Sequence, residues 1–146
     1  MARKLLMEIK VFELAEMAEL LGMPLTKARN WTIGRPLSIP ASIRTATGTG
    51  SRNLYSIEDV YLMGLANEFS KAGFAAKAIG RLLEAVDAKR LAEMDWLTVW
   101  RAGTLKKFHL REGRVQPPEG VLLWHTVNVG AMVKGIDKAV ERLRKG

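Results

Sequence analysis

The sequence has no cysteine and no long uninterrupted run of apolar residues. Because cysteine is missing, disulfides, thiolate nucleophiles and cysteine-ligated metal sites are all excluded, which fits a reducing compartment. No apolar run approaches the roughly 20 residues that cross a bilayer, and the first residues lack the apolar core and cleavage site of a signal peptide. We therefore expect a cytoplasmic protein with no membrane partner.

One long segment of the chain has no acidic residue. None occurs between Glu19 and Glu58, although the whole chain has 15 acidic residues against 23 lysines and arginines, for a formal net charge of +8. A solvated surface usually mixes both signs, so an acid-free segment with spaced cations is typical of a phosphate-binding face. The cations of this segment are Lys27, Arg29, Arg35, Arg44 and Arg52. The charge pattern therefore predicts a polyanionic partner.

Helical periodicity near the start of the chain predicts two short helices. Apolar residues recur at helical spacing within residues 12–21, and Gly22 follows where a C-terminal cap is expected. Pro24 suits the first turn of a second helix, which should end near Thr32 because Gly34 follows. Two short helices joined by a tight, glycine-containing turn form the helix-turn-helix pattern.

A β-hairpin is predicted after these helices. Residues 42–45 and 52–55 have the β-branched and aromatic content of short strands, and residues 46–51 between them are rich in turn formers. A hairpin with a cation on each arm is typical of a DNA-binding wing. Ser56, with Asp59 three residues later, then predicts a capping box at the start of a third helix.

The rest of the chain predicts a second, smaller module. The expected elements are a helix from the capping box to Gly73, a further helix over about 75–94, strands at 97–100, 105–110 and 121–129, and an amphipathic helix over 131–144. We therefore expect a mainly helical α+β fold. Residues 1–94 would form a winged helix-turn-helix domain, and residues 95–146 a small strand-and-helix module for dimerisation or effector binding.

Several segments, in order, resemble the MerR family of winged helix-turn-helix regulators. Residues 12–23 resemble the family's first helix and turn, and residues 27–31 occupy its recognition-helix signature. Residues 54–60 match its junction from wing to third helix, and residues 69–83 match the helix pair that follows. The resemblance covers roughly residues 11–86, just over half of the chain.

The resemblance implies a homodimer that binds double-stranded DNA and contacts RNA polymerase. The chain departs from the family where Asn30 and Thr32 replace an aromatic residue and an acid, and where Asn53 replaces an arginine of the wing. It also lacks the long dimerisation helix, so the way in which the dimer forms stays open. The general binding mode is expected to carry over, but the operator sequence is not.

The candidate DNA contacts lie in the second helix and the hairpin. An arginine can fork onto a guanine edge and an asparagine can pair with an adenine edge, whereas the resemblance implies that Arg29 contacts the backbone. Trp31 either contacts DNA or packs in the core under the wing. The ring of Tyr55 can pack while its hydroxyl reaches phosphate. The candidates are Thr26, Lys27, Arg29, Asn30, Trp31, Arg44, Arg52, Asn53 and Tyr55.

No enzyme motif is found: a P-loop, a dinucleotide fingerprint, a zinc-protease helix and a nucleophile elbow are all missing. We therefore expect no catalytic residue and no cofactor. His109 and His125 have no carboxylate at ligand spacing, so no metal site is expected. Trp96, Trp100 and Trp124 either line an aromatic ligand pocket or pack in a core or interface.

The predicted function is that of a sequence-specific, double-stranded DNA-binding transcriptional regulator, acting as a dimer on an inverted-repeat operator. The alternative is an architectural or phage-type nucleoprotein assembly factor, for excision or packaging, that uses the same winged helix. A protein-interaction domain that does not bind DNA is a third reading. Activation and repression both stay open, as does a small-molecule effector of the second module.

Overall fold

A computed structural model of the protein describes residues 11–34, 37–43, 53–101, 107–116, 118–121 and 123–145. Its helices are α1 (Leu14–Leu21), α2 (Leu25–Ile33), α3 (Ile57–Lys71), α4 (Ala76–Glu84), a 3₁₀ helix (Ala88–Glu93) and α5 (Val129–Lys145). Its strands are β1 (Leu97–Arg101), β2 (Phe108–Glu112) and β3 (Leu123–Val127). The mainly helical α+β class is confirmed, whereas residues 44–52 of the predicted hairpin lie outside the described residues.

Local side-chain chemistry sets both ends of α1. The helix begins with a reciprocal cap, in which the amide of Glu13 donates to the Glu16 carboxylate at 3.0 Å. It ends at Gly22, whose φ of 62° lies in the left-handed region that favours glycine. The amide of Met23 then donates to the carbonyl of Ala18 at 2.9 Å and closes the cap. The predicted glycine cap is confirmed.

The end of α2 is fixed by the chain that follows it. The helix stops at Ile33, one residue beyond the predicted Thr32. The amide of Ile39 donates to the carbonyl of Trp31 at 2.7 Å, and the hydroxyl of Ser38 donates to the carbonyl of Thr32 at 3.2 Å. These bonds satisfy carbonyls that lose their intrahelical partners at a helix end.

The predicted capping box at the start of α3 is confirmed. The Ser56 hydroxyl accepts from the Asp59 amide at 3.1 Å, and the Asp59 carboxylate accepts from the Ser56 amide at 2.9 Å. The same carboxylate oxygen also accepts from the amide and the hydroxyl of Ser42, at 3.0 and 2.7 Å. Asp59 is buried, so these charge-assisted bonds hold Ser42 against the start of α3.

The prediction of one continuous helix over 75–94 is wrong. α4 ends at Glu84, and the 3₁₀ helix begins after Asp87, which is extended and accepts from the amide of Lys89 at 3.1 Å. Leu82 and Leu91 are both fully buried. In an unbroken helix, residues nine apart would lie roughly 180° from each other. The break lets both leucines enter the same core.

The three strands form an antiparallel sheet with β1 in the centre, in the order β2-β1-β3. Leu97, Val99 and Val127 are buried on its inner face. α5 begins two residues before the predicted start at residue 131, because the Asn128 side chain accepts from the Ala131 amide at 3.0 Å and caps the helix. None of the described helices combines the length and the apolar character of a membrane span.

Buried residues from both predicted modules form one hydrophobic core. α5 packs on α1, α3 and the 3₁₀ helix. Gly64 of α3 allows a close approach, since a Cβ there would lie 3.0 Å from Cδ1 of Ile136.

A side-chain hydrogen bond also joins α3 to α5: the Tyr61 hydroxyl donates to the Asp137 carboxylate at 2.6 Å. Burial, and then this bond, raises the pKa of the Tyr61 phenol far above its usual value.

Candidate nucleic-acid interface

One face of α2 is exposed to solvent along its whole length. The residues on it are Thr26, Arg29, Asn30 and Ile33, which we call the α2 face. At 3.6 residues per turn these positions span an arc of roughly 100°. The opposite side is buried through Ala28, Trp31 and Thr32, so packing determines which side of the helix faces outward.

The polar side chains of the α2 face are available for an external partner. Neither Arg29 nor Asn30 has a side-chain hydrogen bond or ion pair with any residue that the structure describes, and both are exposed. The carbonyl of Arg29 accepts from the Thr32 hydroxyl at 2.8 Å, which steadies the last turn of the helix. A forked guanidinium and an amide on one exposed helix face have the chemistry to bind phosphates and base edges.

Lys27 points away from the α2 face. Its Nζ lies 3.4 Å from Oδ1 of Asn67 and 3.4 Å from Oγ of Ser70, both on α3. It also lies 4.8 Å from the ring centroid of Trp31, within cation–π range. We therefore remove Lys27 from the candidate contact surface, because its ammonium group joins α2 to α3.

The two aromatic candidates are buried. Trp31 is 9% exposed, which agrees with the core-packing alternative, and Tyr55 is 0% exposed. Tyr55 exchanges backbone hydrogen bonds of 2.8 and 2.9 Å with Phe12, and its hydroxyl accepts from the Asn53 amide group at 3.5 Å. Because Tyr55 has no exposed surface through which to reach a phosphate, we remove it and Trp31 from the contact surface.

The predicted hairpin is described only at its two ends. The amide of Ile43 donates to the carbonyl of Leu54 at 3.1 Å, so the ends lie side by side. Asn53 is half-buried next to the Tyr55 hydroxyl. Arg44 and Arg52 lie outside the described residues.

Apolar residues on and near the α2 face were missed by the sequence reasoning, which looked for polar contacts. Ile33 is 72% exposed, and Leu25 and Ile43 are also exposed. Three of the four large hydrophobic residues that are exposed among the described residues therefore fall within the acid-free segment, Trp124 being the fourth. The seven-residue spacing of Ile33 from Thr26, about two helical turns, was the sequence signal that places Ile33 on the same face.

The tryptophans and histidines considered above lie in the sheet or beside it. Trp100 is buried and stacks on His109 with centroids 5.6 Å apart, whereas Trp96 packs under the guanidinium of Arg114 at 4.7 Å. Trp124 lies opposite Trp100 in the sheet and is half exposed. In the part of the chain that the structure describes, no group of three or more potential ligands is placed to hold a metal ion.

No family model matches the chain, and no curated protein matches its sequence. The similarity to MerR regulators therefore rests on the segments quoted above.

Proposed function

We propose that the protein is a sequence-specific, double-stranded DNA-binding regulator with a MerR-like winged helix-turn-helix. In this proposal α1 and α2 are the helix-turn-helix, residues 42–55 are the wing, and the α2 face enters the major groove. The observation that carries the proposal is the outward orientation of Arg29 and Asn30 on a helix within the acid-free segment.

The dimensions of α2 support this role. With its side chains an α-helix is about 10–12 Å across, and α2, with 9 residues, is roughly 13 Å long. The major groove is about 12 Å wide and admits an α-helix. The outer side of α2 carries no acidic residue, so the helix adds no like-charge repulsion against phosphate.

The packing around α2 supports a fixed presentation of the face. Lys27 joins the helix to α3, Trp31 buries its inner side, and the bonds from Ser38 and Ile39 hold its end. A contact surface held on a packed helix binds with a smaller loss of conformational entropy than one on a free loop.

Dimerisation on an inverted repeat belongs to the same proposal, since two-fold protein symmetry matches two-fold operator symmetry. α5 has 17 residues, and its apolar side is buried against α1, α3 and the 3₁₀ helix of its own chain. Its buried residues are Val129, Val133, Ile136 and Val140. We therefore propose a dimer that does not use a long helix in the manner of the MerR family.

The test is a selection of duplexes from a random pool by the full chain, followed by binding of the enriched duplex over a range of salt concentrations. We expect an enriched inverted repeat and an affinity that falls steeply with salt, because bound phosphates release counterions. Enrichment of no sequence, with cooperative coating of any duplex, would favour the architectural alternative. Binding no steeper in salt than that of a neutral control protein would exclude both DNA roles.

A further inference from the structure

We infer that Ile33 reads a thymine in the DNA half-site, through contact with the C5-methyl group. This inference rests on the proposed function, because it assumes that the α2 face lies in the major groove. It adds an apolar, specificity-determining contact to the polar residues of that face.

The position of Ile33 places it in line with the other residues of the α2 face. It follows Thr26 by seven residues, which is roughly two helical turns and about 10 Å along the axis. Base pairs are stacked about 3.4 Å apart, so a face of this length would span about three base-pair steps if α2 ran along the groove. Arg29 and Asn30 lie between its two ends.

The chemistry of the major groove explains an apolar residue at this place. An aliphatic side chain gains nothing from a phosphate, and the methyl group of thymine is the apolar feature that base pairs display in this groove. Ile33 is 72% exposed, so it has apolar surface to bury on binding. Its branched side chain also has few rotamers to lose.

The local structure holds Ile33 in this exposed position. The helix ends at Gly34, where the missing side chain lets the backbone lie against the carbonyl of Asn30. Bonds from Ser38 and Ile39 to the carbonyls of Thr32 and Trp31 hold this end of the helix. Ile33 is therefore presented from a helix end whose carbonyls are bonded.

Single exposed hydrophobic residues are common on protein surfaces, so the placement of Ile33 matters more than its exposure. Leu25 and Ile43 are exposed in the same acid-free segment. A protein partner on this apolar surface is the competing explanation. That explanation predicts no dependence of DNA affinity on thymine methyl groups.

The experiment replaces each thymine of the enriched duplex, one at a time, by deoxyuridine, which removes the methyl group and keeps base pairing. Affinities are measured for the wild type, for Ile33→Ala and for Ile33→Val. At one thymine in each half-site we expect deoxyuridine to weaken the binding of the wild type and of Ile33→Val about fourfold, the effect of losing one buried methyl group. Ile33→Ala should bind the two duplexes equally.

Three outcomes would overturn the inference. An enriched half-site without thymine would do so, and so would a set of deoxyuridine substitutions that affect the wild type and Ile33→Ala alike. In both cases a salt-dependent, sequence-selective affinity would leave the proposed function standing. Absence of salt-dependent duplex binding would overturn both the inference and the proposed function. As a control, unchanged thermal unfolding of Ile33→Ala would show that its fold is intact.

Discussion

The guanidinium of Arg144 lies 4.9 Å from the ring centroid of Phe12, near the opposite end of the chain. It also donates to the carbonyl of Val11 at 2.6 Å and pairs with the Glu16 carboxylate at 3.3 Å. Phe12 is fully buried and shares backbone hydrogen bonds with Tyr55. One side chain at the end of α5 therefore holds both the start of α1 and the segment that leads into α3.

Arg144→Ala should destabilise the protein by about 1–3 kcal/mol, because it removes a hydrogen bond to a backbone carbonyl and the packing on a buried ring. Urea unfolding followed by circular dichroism measures the change. Arg142→Ala is the matched control, since Arg142 lies in the same last turn and is exposed. Equal midpoints for the two variants would contradict the structural role of Arg144.

Tyr61→Phe should cost about 1–2 kcal/mol, because it leaves the Asp137 carboxylate without its hydroxyl donor. The raised pKa of Tyr61 also predicts a pH dependence. A phenol whose pKa is raised on folding stabilises the protein fully below its unfolded pKa of about 10, and this contribution is lost as the pH rises above that value.

Free energies of unfolding from about pH 9 to about pH 11 should therefore fall more steeply for the wild type than for Tyr61→Phe. The variant serves as the control, because every other titrating group is common to both proteins. Parallel curves would show that Tyr61 does not titrate differently in the folded and unfolded states.

Sequence alone predicted the parts of the fold that local chemistry determines. The left-handed cap at Gly22 and the reciprocal cap of Ser56 and Asp59 depend on residues within five positions of each other, and both were predicted. The break between α4 and the 3₁₀ helix was not, because it depends on bringing Leu82 and Leu91 to the same core. The stretch has no glycine or proline, and Asp87, which caps the 3₁₀ helix, is also found within helices.

The candidate surface was predicted less well, for a related reason. A short helix with few apolar residues does not determine its own orientation, so Lys27 and Trp31 were taken together with Arg29 and Asn30. The partners that turn Lys27 inward, Asn67 among them, lie some 40 positions along the chain. The exposure of Ile33 depends on which residues cover the end of α2, so it follows from the folded structure and not from the sequence.

Gly34→Ala should destabilise the protein by about 1–3 kcal/mol, as overpacking does, because the new Cβ would overlap the carbonyl of Asn30. Gly135→Ala is the matched control on α5, where no atom lies within 4 Å of an added Cβ. That variant should stabilise by about 0.5–1 kcal/mol through helix propensity. Thermal unfolding compares them, and a stabilising effect of both changes would contradict the steric role of Gly34.

Arg29→Ala should weaken binding to every duplex and reduce the slope of log affinity against log salt by about one, the loss of one phosphate contact. Arg111→Ala removes the same exposed charge from β2 and should leave both quantities unchanged. Fluorescence anisotropy titrations at several salt concentrations make the comparison. Equal losses for the two variants would mean that Arg29 acts only through net charge.

Asn30→Ala should change the relative preference among sequences more than the overall affinity. An asparagine paired with an adenine edge discriminates against other bases by about 1–3 kcal/mol, so the variant should accept a substitution at one adenine that the wild type rejects. Competition among single-base variants of the enriched duplex measures this, with Arg29→Ala as the contrast because its loss should be uniform. If Asn30→Ala weakened all duplexes by one factor, Asn30 would be a backbone contact, and reading of the sequence would fall to other residues of the α2 face.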